Sequence, residues 1–428
     1  MSKLLVIGSG AREHALAWKL SRSFKVGKVY VAPGNPAMVG NPKVSPYVTE
    51  GVIETVDISP LETERLMAFA INERIALTVV GPEPPLAAGI VDEFEKMSLP
   101  IFGPTAKAAE LESSKSFAKN LMKRHGIPTA RYEVFTDIEE AKTYLRAQKP
   151  PYVIKADGLA QGKGVVIAES MEVAEAALHG MMSEGRFGDA GKTVVIEEFL
   201  EGREFSYMAF VNGRNVYPLI PARDYKRAYD KNQGPNTGGM GAFAPVPDIT
   251  DRDTLFAKRN ILEPVANAMV DEGRPYKGLL YAGLIAAKDG VKVIEFNARF
   301  GDPETGVVLP LMESDLFVVI SDFLSGKAPT ITWSKKYCVG VVLASKGYPG
   351  EYETGHRIGG IDKLGSGTML FFAGVAGDFE SGLTTSSGRV MLAARKSGSI
   401  VLARNELYDD LAGIECDNLF YRKDIARV

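Results

Sequence analysis

The sequence predicts a multidomain protein of α/β and α+β class, opening on a parallel α/β domain and closing on a small mixed domain. Three observations carry this expectation. At 428 residues the chain is too long for one hydrophobic core. From residue 1 to about 105, apolar strand runs alternate with amphipathic helical windows. After about Ser325 the pattern changes to short strands and turns.

In chain order, the first runs are Leu4–Ile7, Val29–Ala32, Leu77–Val80 and Leu99–Phe102. Each ends in glycine or proline: Gly8-Ser9-Gly10, Pro33-Gly34, Gly81-Pro82 and Gly103-Pro104. Loops at the carboxyl ends of parallel strands are where ligands usually sit. A helix is expected over Ser113–His125, stopped by Gly126-Ile127-Pro128. From Tyr132 to Thr193 a smaller α/β unit carries one glycine-rich loop. Val194–Ile196 is a further strand, and the chain from Arg203 to about Glu304 is rich in strand pattern. Within it Arg223–Pro247 is polar and glycine-laden and reads as a long, functional or disordered loop. There are no internal repeats.

A hydrophobic content of 45% and a charged content of 24% describe an ordinary globular protein. The net charge of −3 gives no sign of a surface for nucleic acid or anionic membrane. Cys338 and Cys416 are far apart, and His14, His125, His179 and His356 show no ligand spacing, which excludes a disulfide framework or a zinc knuckle. Reduced thiols, and an N-terminus that is already a strand instead of a secretory leader, set the expectation of a cytoplasmic protein. No apolar run approaches the roughly 20 residues that span a bilayer.

The stretch Val293-Ile294-Glu295-Phe296-Asn297-Ala298-Arg299 is the most informative. As a strand with period two, it would send Ile294 and Phe296 into a core and line up Glu295, Asn297 and Arg299 on the other face. Two hard oxygen donors and a guanidinium suit a divalent cation gripping polyphosphate beside an anion. A strand with one polar face would look the same.

Four other motifs carry similar pairs of readings. Gly8-Ser9-Gly10 would let backbone approach a phosphate at a helix N-terminus, but Glu13 stands where a dinucleotide fingerprint needs its third glycine. A non-dinucleotide contact and a plain tight turn both stay open. Lys155, followed by Gly158, Gly162, Lys163 and Gly164, suits a glycine flap closing over polyphosphate, or an ordinary surface hairpin. Its spacing is not that of a P-loop. Glu197-Glu198-Phe199-Leu200 with Glu204 suits an adenosine-binding hinge, or an acidic turn between strands. Lys226-Arg227 suits phosphate binding, or a solvated pair.

The order of these motifs resembles the ATP-grasp superfamily, with Lys115 as its early helical lysine. At finer grain the chain resembles the bacterial glycinamide ribonucleotide synthetase family over essentially its whole length. The matching blocks include Gly8–Trp18, Val31–Asn35, Val80–Glu83, Ile101–Thr105, Ile154–Ala160, Gly234–Gly241, Gly301–Thr305 and Tyr421–Ile425. Ser9, Ala11, Tyr225 and Ala298 depart from the usual residues without touching the charged ones.

The resemblance implies an N-terminal domain (1–105), an ATP-grasp module (106–325) with a mobile lid at about 126–193, and a C-terminal domain (326–428). It implies an ATP-dependent ligase that joins glycine to 5-phosphoribosylamine through glycyl phosphate, releasing ADP and phosphate, in purine synthesis. Lys115, Lys155, Gly158, Gly162, Lys163, Gly164 and Lys226 would hold or cover the phosphates. Glu197, Glu198, Phe199, Leu200 and Glu204 would border adenosine. Glu295 and Asn297 would hold Mg²⁺ or Mn²⁺. Arg299, Lys155 and Asp302 would serve the chemistry. Gly10, Arg12, Glu83, Asn236, Thr237, Arg299 and Asp302 would contact the substrates. No nucleic acid or membrane partner is expected, and a monomer is the favoured state.

Overall fold

The computed structural model describes residues 1–39, 52–159 and 164–427. Its contacts divide the chain into two compact units. Unit 1 gathers Met1–Gly103, Leu219–Val246 and Arg299–Val428; unit 2 gathers Pro104–Pro218 and Pro247–Ala298.

Unit 1 begins with five parallel strands: β1 (Ser2–Gly8), β2 (Val26–Pro33), β3 (Ile53–Thr55), β4 (Leu77–Val80) and β5 (Ile101–Phe102), in spatial order β3-β2-β1-β4-β5. Leu4, Leu5, Val6 and Ile7 are all fully buried, as expected of a strand covered on both faces. The order reverses between β1 and β4, so the crevice at their carboxyl ends opens beside Gly8 and Gly81.

The rest of unit 1 centres on an antiparallel sheet with strands in the order Arg223–Asp224, Gly241–Ala244, Tyr337–Ser345, Arg389–Ser397 and Thr368–Phe372. Two findings correct the sequence reading. Residues 223–247 are not structureless: Arg227–Tyr229 pairs with Gln233–Asn236, and Gly241–Ala244 is a buried strand of the main sheet. The glycines that suggested a loop serve turns and close packing. The C-terminal region also exceeds short strands and turns. It holds two nine-residue strands, Tyr337–Ser345 and Arg389–Ser397, and the 12-residue helix Ile400–Leu411, which buries Ile400, Ala403, Leu407 and Leu411.

Unit 2 contains two antiparallel sheets. The first comprises β6 (Tyr132–Phe135), β7 (Tyr152–Ala156), β8 (Val165–Ala168) and β9 (Val194–Glu198), in order β6-β9-β7-β8. Ile154, Ala156, Val194 and Ile196 pack against Leu145 and Leu178 from two helices. Those helices, Ile138–Arg146 and Met171–Met182, are capped by the Asp137 carboxylate and the Ser170 hydroxyl. The second sheet runs in the order β11 (Asn215–Pro218), β10 (Arg203–Asn212), then the strands Lys277–Ala287 and Gly290–Asn297. The expected helix over 113–125 is Lys115–Arg124, whose N-cap Ser114 accepts from Phe117 N and which follows a separate helix, Ala106–Ser113.

Ile294 does not enter the core with Phe296. Gly283 pairs with Glu295 and Leu284 with Val293, so Ile294 is an extra residue, a β-bulge, and is only half-buried. The bulge resets the alternation. Val291 and Val293 are buried before it, Phe296 and Ala298 after it, while Glu295 and Asn297 stay on the more open face.

Candidate active site

In unit 2, charged groups from four elements meet around the bulged strand. Lys155, near the end of β7, is buried; its Nζ donates to the Ile294 carbonyl at 3.0 Å and lies 2.8 Å from Glu197 Oε1. Burial opposes ionisation of Glu197, but Lys155 and Lys119 outweigh it and hold the carboxyl below its ordinary value. Lys115 Nζ donates to the Gly158 carbonyl at 3.1 Å. Burial lowers its pKa, against the attraction of Glu295, whose carboxylate therefore lies within electrostatic reach.

Two carboxylates fix the backbone here. Asp157 accepts from Ser116 N at 2.6 Å and Ser116 Oγ at 2.9 Å, tying the end of β7 to the start of the Lys115–Arg124 helix. Glu112, buried, accepts from Ala298 N at 2.6 Å, which holds the strand just beyond Asn297. Glu295 lies over Gly283, where a Cβ would sit 3.1 Å from its Cγ.

The other expected nucleotide residues are placed as follows. Gly158 packs on Ala190, whose Cβ a side chain would meet at 2.4 Å, so it also serves close packing. Glu198 is taken up by Arg131, which donates to it from N at 3.0 Å and Nε at 2.7 Å. Phe199 is exposed, Leu200 is half-buried, and Glu204 lies at the exposed start of β10. Gly164 is buried, while Gly162 and Lys163 lie outside the described residues. Lys226 belongs to unit 1.

In unit 1, Arg12, Glu83 and Arg299 meet although they come from three distant segments. Arg12 Nη1 and Arg299 Nη1 both donate to the Phe300 carbonyl, at 3.3 and 3.5 Å, and Arg299 Nε donates to Glu83 Oε2 at 3.4 Å. Burial opposes ionisation of Glu83, but the guanidiniums of Arg299 and Arg12 hold its pKa down. Asp302 pairs with Arg389 through both oxygens, at 3.2 and 3.0 Å, and Arg389 also donates to the Gly238 carbonyl at 2.6 Å. Gly10 borders this pair, since a Cβ there would lie 3.8 Å from Asp302 Oδ2. Thr237 is buried, its hydroxyl donating to the Lys226 carbonyl and accepting from Gly239 N. Asn236 ends the adjoining hairpin strand.

Glu13 removes the dinucleotide alternative. Its carboxylate accepts from Gly10 N at 2.6 Å and Arg12 Nε at 2.6 Å, occupying the helix N-terminus where a pyrophosphate would bind. Gly8 and Gly81 leave room for this side chain: a Cβ on Gly81 would meet Glu13 Oε1 at 2.1 Å.

The residues the sequence reading did not single out are Lys119, Asp157, Glu112, Arg389 and Tyr348, whose hydroxyl accepts from Gly238 N at 3.0 Å. Lys119 alone had a signal, four residues after Lys115 on one helix face.

Glu295 and Asn297 supply two hard oxygen donors on one face, which fits a magnesium-like ion completed by polyphosphate and water. Among the described residues no three His, Cys, Asp or Glu side chains form a cage for a metal. Among the described residues no helix is long and apolar enough to cross a membrane.

A lysine-bearing antiparallel sheet beside a second sheet with a terminal Glu-x-Asn strand defines an ATP-grasp chain. Three family models match in series: the phosphoribosylglycinamide synthetase N domain over residues 2–112, its ATP-grasp (A) domain over 113–305 and its C domain over 338–428. A phosphoribosylamine–glycine ligase of Halalkalibacterium halodurans is 52% identical over 422 residues, 99% of this chain and 96% of that protein. The crystal structure of a phosphoribosylamine–glycine ligase from Thermotoga maritima superposes with a TM-score of 0.80 at 33% identity, covering 99% of both chains. A biotin carboxylase domain of Hydrogenobacter thermophilus 2-oxoglutarate carboxylase, solved with ADP, magnesium and bicarbonate, shares the fold: its TM-score is 0.73 at 17% identity, over 98% of this chain and 91% of that one. The chain belongs to the phosphoribosylamine–glycine ligase (phosphoribosylglycinamide synthetase) family.

Proposed function

We propose that the chain is an ATP-dependent carbon–nitrogen ligase that joins glycine to 5-phosphoribosylamine, giving glycinamide ribonucleotide, ADP and phosphate in purine synthesis. The observation that carries this reading is Lys155, buried and pinned between Glu197 and the bulge carbonyl of Ile294, one residue before the Glu295 and Asn297 donors.

In this reading a glycine carboxylate oxygen attacks the γ-phosphorus, and ADP leaves with the electrons of the broken phosphorus–oxygen bond. The amine nitrogen then attacks the acyl carbon, loses a proton as the amide forms, and phosphate departs. No side-chain nucleophile is needed, so catalysis rests on positioning and charge neutralisation. Lys115 and Lys155 hold phosphate oxygens, and Gly158, Gly162, Lys163 and Gly164 serve the same phosphates. Glu198, Phe199, Leu200 and Glu204 border adenosine, Glu197 stands behind them between Lys155 and Lys119, and Lys226 reaches a phosphate. Glu295 and Asn297 would hold Mg²⁺ or Mn²⁺, which would neutralise phosphate charge.

Arg299 steadies the acyl phosphate. Arg12, Glu83, Gly10, Asn236, Thr237 and Asp302 shape the site for the phosphosugar amine, with Thr237 acting through the loop it braces. In this reading the enzyme acts in the cytoplasm, with a monomer as the favoured state.

A coupled ADP-release assay with chemically generated phosphoribosylamine tests the reading. ADP should accumulate in stoichiometry with amide only when ATP, glycine and the amine are all present. Equal turnover with formate or bicarbonate in place of glycine would contradict it.

A further inference from the structure

A closed relay of buried polar groups in unit 2 links the helix Lys115–Arg124 to both residues that flank the start of the bulge. Lys119 Nζ donates to Glu197 Oε2 at 2.7 Å and to Thr129 Oγ1 at 2.8 Å. Thr129 Oγ1 donates in turn to the Val293 carbonyl at 2.8 Å. On the other side of the same carboxylate, Lys155 reaches Glu197 Oε1 at 2.8 Å and the Ile294 carbonyl at 3.0 Å. The path therefore leaves the strand at Val293 and returns to it at Ile294. The side chains of Lys119, Glu197 and Lys155 are 3%, 4% and 4% exposed.

At such burial an uncompensated charge is costly, yet two ammonium groups share one carboxylate. The surplus positive charge is what an incoming polyanion would neutralise. Glu197 given wholly to Lys155 would quench the ammonium group that must serve the phosphates. With one oxygen held by Lys119, the carboxylate steadies Lys155 without fully neutralising it.

We propose that Lys119 is a positioning residue for recognition of the nucleotide's phosphates, acting through Glu197 on Lys155 and through Thr129 on the bulge. This rests on the reading of Lys155 as a phosphate ligand. Burial brings the Lys119 ammonium down to about 8, so it remains largely charged at neutral pH. The groups facing it are Glu197, Lys155 and Glu198, with the Tyr132 ring 5.7 Å from its nitrogen.

The test compares wild type, Lys119→Met, Lys119→Arg and Thr129→Val by equilibrium binding of ATP, ADP and adenosine and by steady-state kinetics. Lys119→Met should weaken ATP and ADP about tenfold, the size expected for losing one charged hydrogen-bond partner. Adenosine affinity, the KM for glycine and kcat at saturating ATP should stay within about twofold, and Lys119→Arg should recover most of the loss. Thr129→Val, which keeps the lysine, should weaken ATP by about threefold; it stands in if the methionine variant does not fold. ATP affinity unchanged in both variants, or equal losses for ATP, adenosine and glycine as a structural defect would give, overturns the proposal. A wild-type protein that binds neither ATP nor ADP would overturn the phosphate-ligand reading itself, and the Lys119 role with it.

Discussion

Glu295 lies on the more open face of its strand, and the opposite face is filled by Phe296 and Ala298. Its carboxylate therefore contributes little to the core. Glu295→Ala should cut kcat by about 10²–10³-fold, as is common when one charge contact of the transition state is lost, and should leave the unfolding midpoint near wild type. Full activity at saturating magnesium would reject the assignment. His14 behaves in the opposite way. It stands in the Gly8–Trp18 block, but its Nδ1 accepts from Phe372 N at 2.9 Å and its ring packs on Phe371 and Phe372. Burial lowers its pKa from 6.5 to about 3. Between those values the unfolded chain binds the extra proton, so His14 makes stability fall as pH drops from 6.5 toward 3. Above that window it adds no pH dependence. Urea denaturation of His14→Gln should show a flatter acid limb than wild type, and parallel limbs would contradict the account.

At the scale of elements, the turn after β1 and the turn after β4 are shaped around one carboxylate. Gly81→Ala would place a Cβ 2.1 Å from Glu13 Oε1, and overpacking of that kind costs about 1–3 kcal/mol. Adding Glu13→Ala should make the double variant less destabilised than the sum of the two single variants. Strict additivity in denaturant midpoints would show that the two do not meet. Glu13 was visible in the sequence as a broken glycine fingerprint. Its destination was not, because the space it fills is made by Gly81, in the turn after a different strand. The strands Leu4–Ile7 and Leu77–Val80 were legible because each is an apolar run closed by glycine. The bulge at Ile294 was not: the adjacent apolar pair Val293-Ile294 does break the alternation, but which residue is extra is set by pairing with Leu284 and Gly283. The helix Ile400–Leu411 was legible in principle, through buried positions at helical spacing, and was missed beside the short strands around it.

Over the whole molecule, the chain passes between its two units after Gly103, Pro218, Val246 and Ala298. The strands of residues 223–244 are too short for periodicity to mark, and the sheet they join was hidden because pairing partners such as Cys338 and Val339 lie far along the chain. The residues of the candidate site were legible mainly through resemblance, as charged groups within the matching motifs. Those that steady them, Lys119, Glu112, Asp157 and Arg389, emerged only from packing. What unites both sets is one chemical claim, that ATP activates a carboxylate. The most direct measurement uses glycine labelled with ¹⁸O in its carboxylate, incubated with ATP, phosphoribosylamine and the intact protein. Mass spectrometry of the released inorganic phosphate should find one ¹⁸O atom per molecule, carried over from glycine as the acyl phosphate breaks down. Unlabelled phosphate formed in step with the amide would contradict the account.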